Sequence, residues 1–567
     1  MRSHHVRRLR PIAAACAAVG CASIAAATPY ASSINDLGSG NFSFFLNETA
    51  DSAVVKFNAG SPVTIASPTA GLQNFTLPAG ATSFSIQVKK SAPSAWALVT
   101  TDSYSNNFEI PRGVAINSNP GLDGSFNPWF GTVYATNARN LPTAAGRNVT
   151  TGVYVLNPDM TQKFADDTTD FFDDARKGGV DWQNSSGGVS PWRLEVGADN
   201  RVYIADWSDA HSGLWAADPA INVATPVLEN DSARNADGAN LTHGSIADMV
   251  VRGSGANRVV YTADEDGFLA DSTATTSVHA MSILRYNIGT TATWAGPPTS
   301  IPFDNDTQTG GNKLINSNNS IALLPNGHFW ISQNRTGLAN EIASSLFEVD
   351  PATGQVLWKS LDNSPAGTDS ANDPFRRIQG IAYDPISGLL ALGTQNGGNI
   401  IIFDPATKTI ITQFAFGGGG TNQDIAFDAA GNLYVSNSAA ERVRVWSPGG
   451  NWLATTGSDG TFSLAALVPL LAGDITGPNG TPDGIVNQLD LNVITGNWQK
   501  TGASVSGDIT GPSGSPDGIV NQLDLNIITG NWQKTSGAAG FASSAVPEPA
   551  GLLAAAMPGL LLRRRRR

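Results

Sequence analysis

Between residues 112 and 465 the apolar positions fall in short runs of alternating polarity, not at helical intervals. The clearest run opens at Gly380 (GIAYDPISGLLALGTQNGGNIIIFDPATKTIITQF), and a second opens at Asp424 (DIAFDAAGNLYVSNSAAERVRVWSPGGNWLATTG). Each reads as an apolar strand, a turn, an aromatic-bearing strand and a further strand closed by a turn. Period-two alternation broken by Ala-Gly-Asn, Pro-Asn-Gly or Ala-Asp-Asn predicts antiparallel hairpins. Weaker copies start at Gly113, Leu194, Ala247 and Ser320, so connections of unequal length interrupt a unit of about 40 residues. Six such units predict a mainly β chain with a six-bladed β-propeller over 112–465, or seven blades if 159–190 supplies further strands. Residues 32–108 carry other short alternating runs, such as Ser52–Phe57 and Ser83–Val88, between Gly, Pro and Asn turns. They predict a β-sandwich-like segment or extra strands that close the propeller.

The pattern changes at 472–534. Residues 474–500 and 508–534 are near copies that differ only at Asn479/Ser513, Thr481/Ser515 and Val493/Ile527. In each copy an Asp-Gly-Ile-Val-Asn-Gln-Leu-Asp run matches the second half of an EF-hand-type loop. Asp483 supplies oxygen at position five, Gly484 the sharp turn, Ile485 a backbone carbonyl, Asn487 an amide oxygen and Asp490 the closing carboxylate. Asp517, Ile519, Asn521 and Asp524 repeat the set, and Asp474 and Asp508 are the candidates for position one. An all-oxygen donor set suits calcium, so two calcium sites are expected. Leu489, Leu491, Val493, Ile494 and Trp498 follow at helical intervals, and they predict an apolar stripe that packs on its twin.

Two loop–helix units in tandem resemble a type I dockerin, which makes the C-terminal module small and α-helical and implies a cohesin-like partner. The resemblance departs at one place: a Gly-Pro-x-Gly-x-Pro insertion separates Asp474 from Asp483, leaving Thr476 and Thr510 as candidates for the missing ligand. In the body, Asp424–Asn437 is similar to NHL and gluconolactonase-like propellers. That family implies a channel-bound divalent ion, with Asp206, Asn334 and Asn437 at comparable strand ends.

Composition then narrows the function classes. The formal charge is −13 with charged residues at only 14%, and the two ends hold a surplus of Arg, so the body is more acidic still. Such a surface repels phosphate backbones, and nucleic acid is not expected as a partner. Arg2, Arg7, Arg8 and Arg10 before the apolar stretch to Ala27 predict a signal peptide over 1–27. Ala18–Cys21 is a weaker match to a lipoprotein cleavage box. Both cysteines, Cys16 and Cys21, fall inside this segment, so disulfides are not expected in the mature chain.

After a linker at 535–545, residues 546–567 place Val-Pro-Glu-Pro before a short apolar run and five arginines. This resembles a PEP-CTERM sorting signal, which implies an exosortase-like processing protease and a location in the outer envelope, in the extracellular matrix or free outside the cell.

No continuous motif assigns a catalytic residue. Of the body histidines, His211, His243, His279 and His328, none forms a metal-spacing pair, and His328 sits beside a turn. Asp166, Asp167, Asp170, Asp173 and Asp174 read as a solvated acidic run. The expectation is a binding and scaffolding protein with a calcium-dependent assembly module. The alternative is an extracellular carbohydrate-active enzyme, a hydrolase or lyase, with its site in the propeller channel. A carbohydrate ligand is one partner this reading allows, and the sequence does not name the propeller's ligand. Acids or a metal converging on an open channel would favour the enzyme, and a plugged channel the scaffold.

Overall fold

The computed structural model describes residues 28–91, 95–103, 105–122, 124–164, 175–182, 188–208, 213–228, 245–265, 267, 278–294, 296–310, 314–315, 317–333, 345–360, 374–375, 377–395, 397–466, 475–476, 485–502, 505–510 and 517–533. The expected signal peptide, linker and sorting signal lie outside these residues. Among those described, no helix is long and apolar enough to cross a membrane.

Six antiparallel sheets follow one another through the body. Their innermost strands are Pro111–Ile116, Leu194–Val196, Ile246–Arg252, Asn318–Leu323, Ile378–Tyr383 and Asn422–Phe427. Each innermost strand neighbours the next, and the sixth returns to the first. The apolar faces that alternation creates are buried between sheets, one core to each junction. The core that closes the ring joins Tyr434, Val443 and Val445 of the sixth sheet to Val114, Val133 and Leu156 of the first. This is a propeller-like arrangement, in which radial repetition leaves only short, protected sheet edges. The six repeat starts read from the sequence all fall on or beside these innermost strands. Within 159–190, the described residues add bridges Leu156↔Gln162 and Val153↔Arg176 to the edge of the first sheet.

Eight further strands pack as a sandwich. Ala31–Gly38, Asn41–Leu46 and Gly71–Thr76 form one sheet. Ser52–Phe57, Val63–Ile65 and Phe84–Ser91 form the other, joined by Asn451–Gly457 and Phe462–Ala466. Phe42, Phe44, Phe75 and Phe84 fill the space between them. The sequence pattern places the last two strands in the propeller, but their hydrogen bonds go to the sandwich. In exchange Ala97–Leu98, from the N-terminal segment, pairs with Arg442–Ser447 as the outermost strand of the sixth sheet.

Antiparallel order decides which connections share a face. Each sheet begins at its innermost strand, so its first hairpin turn lies on one face and its second-to-third connection on the other. The hairpin face carries short turns at 197–201, 324–328, 384–389 and 428–432. The sandwich docks there: Tyr30, Phe130, Ala430 and Ala454 share a small core, and Asn432 exchanges two hydrogen bonds with the backbone of Thr28. The opposite face carries the second-to-third connection 138–151 of the first sheet.

Candidate functional site

The tail module is built by two identical helix starts. Asn487 is the N-cap of Gln488–Gly496; its side chain accepts from the Leu489 N–H, while Asp490 reaches back to the Asn487 N–H at 2.8 Å. Asn521 and Asp524 do the same for Gln522–Gly530. Such capping boxes satisfy donors that a helix end leaves open, and one cap is worth about 1 kcal/mol. The two units are tied reciprocally, because Gln499 donates its N–H to the Val520 carbonyl and Gln533 donates to that of Val486. Val486, Ile494, Val520 and Ile528 form the buried centre.

The expected stripe is narrower in the structure. Ile494 is buried with Leu491 half-covered, whereas Leu489 and Trp498 are exposed, as are Leu523 and Trp532. Leu489 precedes Ile494 by five residues, which turns it about 140° away on the helix. Trp498 lies past the last helical residue, where the period no longer applies.

The oxygen atoms of the second loop can be followed singly. Asp508 accepts the N–H groups of Asp517 (3.2 Å) and Gly518 (2.6 Å), so the chain across the insertion returns to Asp508. Gly518 has φ +83°, a left-handed conformation that glycine adopts without a Cβ penalty. Asp524 is fully buried; one of its oxygens accepts from Ile509 and Thr510, and the other from Asn521. An ionised carboxylate has about four acceptor sites, so one remains for a cation. The Ile519 carbonyl and the Asn521 side chain stand on the same turn, joined at 3.2 Å. Among the described residues the Asp508, Asp517 and Asp524 carboxylates are not gathered within 4.8 Å of one another, and the oxygens of Asp508 and Asp524 accept backbone N–H groups instead. In the first loop Asp490 repeats the three contacts of Asp524, with Ile475, Thr476 and Asn487. Asp474 and Asp483 lie outside the described residues. Thr476 and Thr510 take part through their backbone N–H.

Arg193 reaches across the ring. Arg193 is buried, with its guanidinium donating to the carbonyls of Arg112 (3.0 Å), Gln379 (2.9 Å) and Gln423. It also lies 3.2 Å from an Asp424 oxygen. Those partners sit on the first, fifth and sixth sheets, so Arg193 spans the ring from the second. Asp424 accepts the Val114 N–H, and Asp248 accepts from Ser320 Oγ and the Ile321 N–H of the next sheet. Ser320 Oγ in turn accepts the Ile381 N–H of the sheet after that. Burial pushes both the Asp248 and the Asp424 carboxyls upward, against the pull of Arg193. Two carboxyls meet in the channel, but they are engaged in holding neighbouring sheets together.

The strand-end residues are likewise engaged. Asp206 accepts from the Ser208 N–H and Ser190 Oγ, and Asn437 from the N–H groups of Ala439 and Ala440. Asn334, His211, His243 and the acidic run 166–174 lie outside the described residues. His328 is half-buried and pairs with Glu348 at 2.9 Å. A cluster missed by sequence reasoning is His279, Asp304 and Asp306, one donor atom from each lying within 4.8 Å of the others. Its members come from opposite ends of a hairpin, so no local spacing announces it.

No family model matches this chain, and no curated protein matches it. Among solved structures, it is similar to a structural-genomics protein of unknown function from Bacteroides thetaiotaomicron. That match has 11% identity and TM-score 0.37, and covers 74% of this chain and 98% of the other. It is also similar to the WD40 β-propeller domain of Doa1, at 15% identity and TM-score 0.34, covering 62% and 97%. A third similarity is to hydrazine synthase from Kuenenia stuttgartiensis, at 12% identity and TM-score 0.34, covering 59% and 82%.

Proposed function

We propose that this chain is an exported binding and scaffolding protein. In this reading a six-bladed propeller offers the face opposite the sandwich to a carbohydrate ligand, and a dockerin-like tail closes around two calcium ions to meet a cohesin-like partner. The observation that carries the tail assignment is the second loop, where Asp508 accepts the Gly518 N–H across the insertion while Asp524 closes the turn from the helix. Asp508, Asp517, Ile519, Asn521 and Asp524 would hold one ion, and Asp474, Asp483, Ile485, Asn487 and Asp490 the other. Bound calcium would neutralise clustered oxygens and couple metal to folding of the module. The scaffold reading is supported further by Arg193 and Asp424, whose charged groups are engaged in contacts between sheets of the ring.

The test is calorimetric titration of the full chain with calcium. Two equivalents are expected, and Asp508→Asn with Asp517→Asn should remove one of them while the other is retained. Stoichiometry unaltered by the pair would defeat the ligand assignment.

A further inference from the structure

We propose that His279, Asp304 and Asp306 form a site for one borderline divalent cation of the Zn²⁺ class, at the edge of the third sheet and separate from the tail loops. His279 leads into strand Ser282–Tyr286, and Asp304 and Asp306 follow its partner Ser300–Phe303. Ile283 pairs with Phe303, so the start of one strand and the end of the other lie side by side. His279 Nδ1 is 2.9 Å from an Asp304 oxygen. The His279 N–H donates to Asp306 at 2.8 Å, and the Asp306 N–H donates to Asp304 at 3.1 Å.

The surroundings hold these groups in place. Asn305, fully buried between the two aspartates, donates its N–H to Ser282 Oγ and accepts the N–H groups of Leu314 and Ile315. Its amide also donates to the Ile315 carbonyl at 2.7 Å. Gly267, at φ +71°, passes so close that a Cβ there would stand 2.1 Å from the Val278 carbonyl oxygen. Supporting contacts of this kind orient ligands before a metal arrives.

The donor set selects the ion. One imidazole nitrogen with two carboxylates suits zinc or manganese, whereas calcium prefers six to eight oxygens. Tetrahedral bonds of about 2.0–2.1 Å set donors roughly 3.3 Å apart. The observed separations, from 2.9 Å to within 4.8 Å, bracket that value. Asp304 also lines a cleft of about 420 Å³ with Pro302, Thr307 and residues 351–355. With Asp304 on its wall, the cleft offers a fourth position for water or a ligand oxygen.

The experiment uses the full chain in saturating calcium, which fills the tail loops. Titration with Zn²⁺ should show one further equivalent, weakened at least tenfold in His279→Gln and in Asp306→Asn. With Mn²⁺ as the probe, pulsed electron paramagnetic resonance should detect a bound nitrogen in the wild type and in His328→Gln, and none in His279→Gln. A wild-type chain without a manganese-bound nitrogen overturns the site, whether or not the variants fold. Unchanged zinc affinity in Asp306→Asn overturns it equally.

Discussion

Arg193 shows how much one side chain can carry in a ring. Its guanidinium joins three backbone carbonyls and the Asp424 carboxylate, each from a different place around the channel than its own strand. Removing one partner of a buried ion pair leaves the other charge uncompensated, at a cost of about 3–5 kcal/mol. Arg193→Met is therefore expected to lower unfolding stability by that amount. Arg193→Met with Asp424→Asn should lose less, because the amide still accepts the Val114 N–H and no charge is stranded. Urea denaturation of the double-mutant cycle reads the difference.

Asp428 sets a pH dependence at the same scale. It is buried, with side-chain contacts to Asn432 and Tyr434, and burial raises its carboxyl from 3.8 to about 6. The folded state then holds a proton that the unfolded chain has released. The stabilisation is complete below about pH 4 and is lost as pH rises through 6, on the order of 3 kcal/mol in total. In Asp428→Asn that part of the stability profile should be flat, as measured by thermal melts from pH 4 to 7.

Among the elements, the tail helices follow from local rules. Asn487 and Asp490, three residues apart before an apolar run, are legible as a capping box without any tertiary knowledge. Asn487→Ala and Asn521→Ala should each cost about 1 kcal/mol. Hydrogen exchange at the Leu489 and Leu523 amides should then speed up about fivefold, by nearly the same factor in both, since the surroundings are duplicated. The innermost propeller strands were equally legible, as period-two runs bounded by turns. Pairing across distance was not. Asn451–Gly457 alternates like any propeller strand, and nothing local tells it to join Phe84–Ser91. His279 was hidden for the same reason, because its partners arrive only when the fourth strand folds back.

Close approach between elements gives a further expectation. A Cβ at Gly113 would stand 2.6 Å from the Trp192 carbonyl oxygen, where the first and second sheets meet. Gly113→Ala should destabilise by roughly 2 kcal/mol, because backbone cannot yield as a side-chain tip can. Denaturant midpoints of this variant and the wild type decide the point.

For the molecule as a whole, the exchange of strands between sandwich and ring is the organising fact. Ala97–Leu98 leaves the N-terminal segment to finish the sixth sheet, and Asn451–Ala466 leaves the ring to finish the sandwich. Neither part can be cut out as a continuous stretch of sequence. Sandwich and hairpin turns also occupy one face together, with the connection 138–151 on the other.

Phe462–Ala466 is an edge strand, bonded along one side only, and it is the last strand of the body before the tail. Tension applied through the tail would reach the body at this strand. Pulled from its free end, a hairpin strand peels one bond at a time, so this strand would yield at low force while the closed ring behind it stays whole.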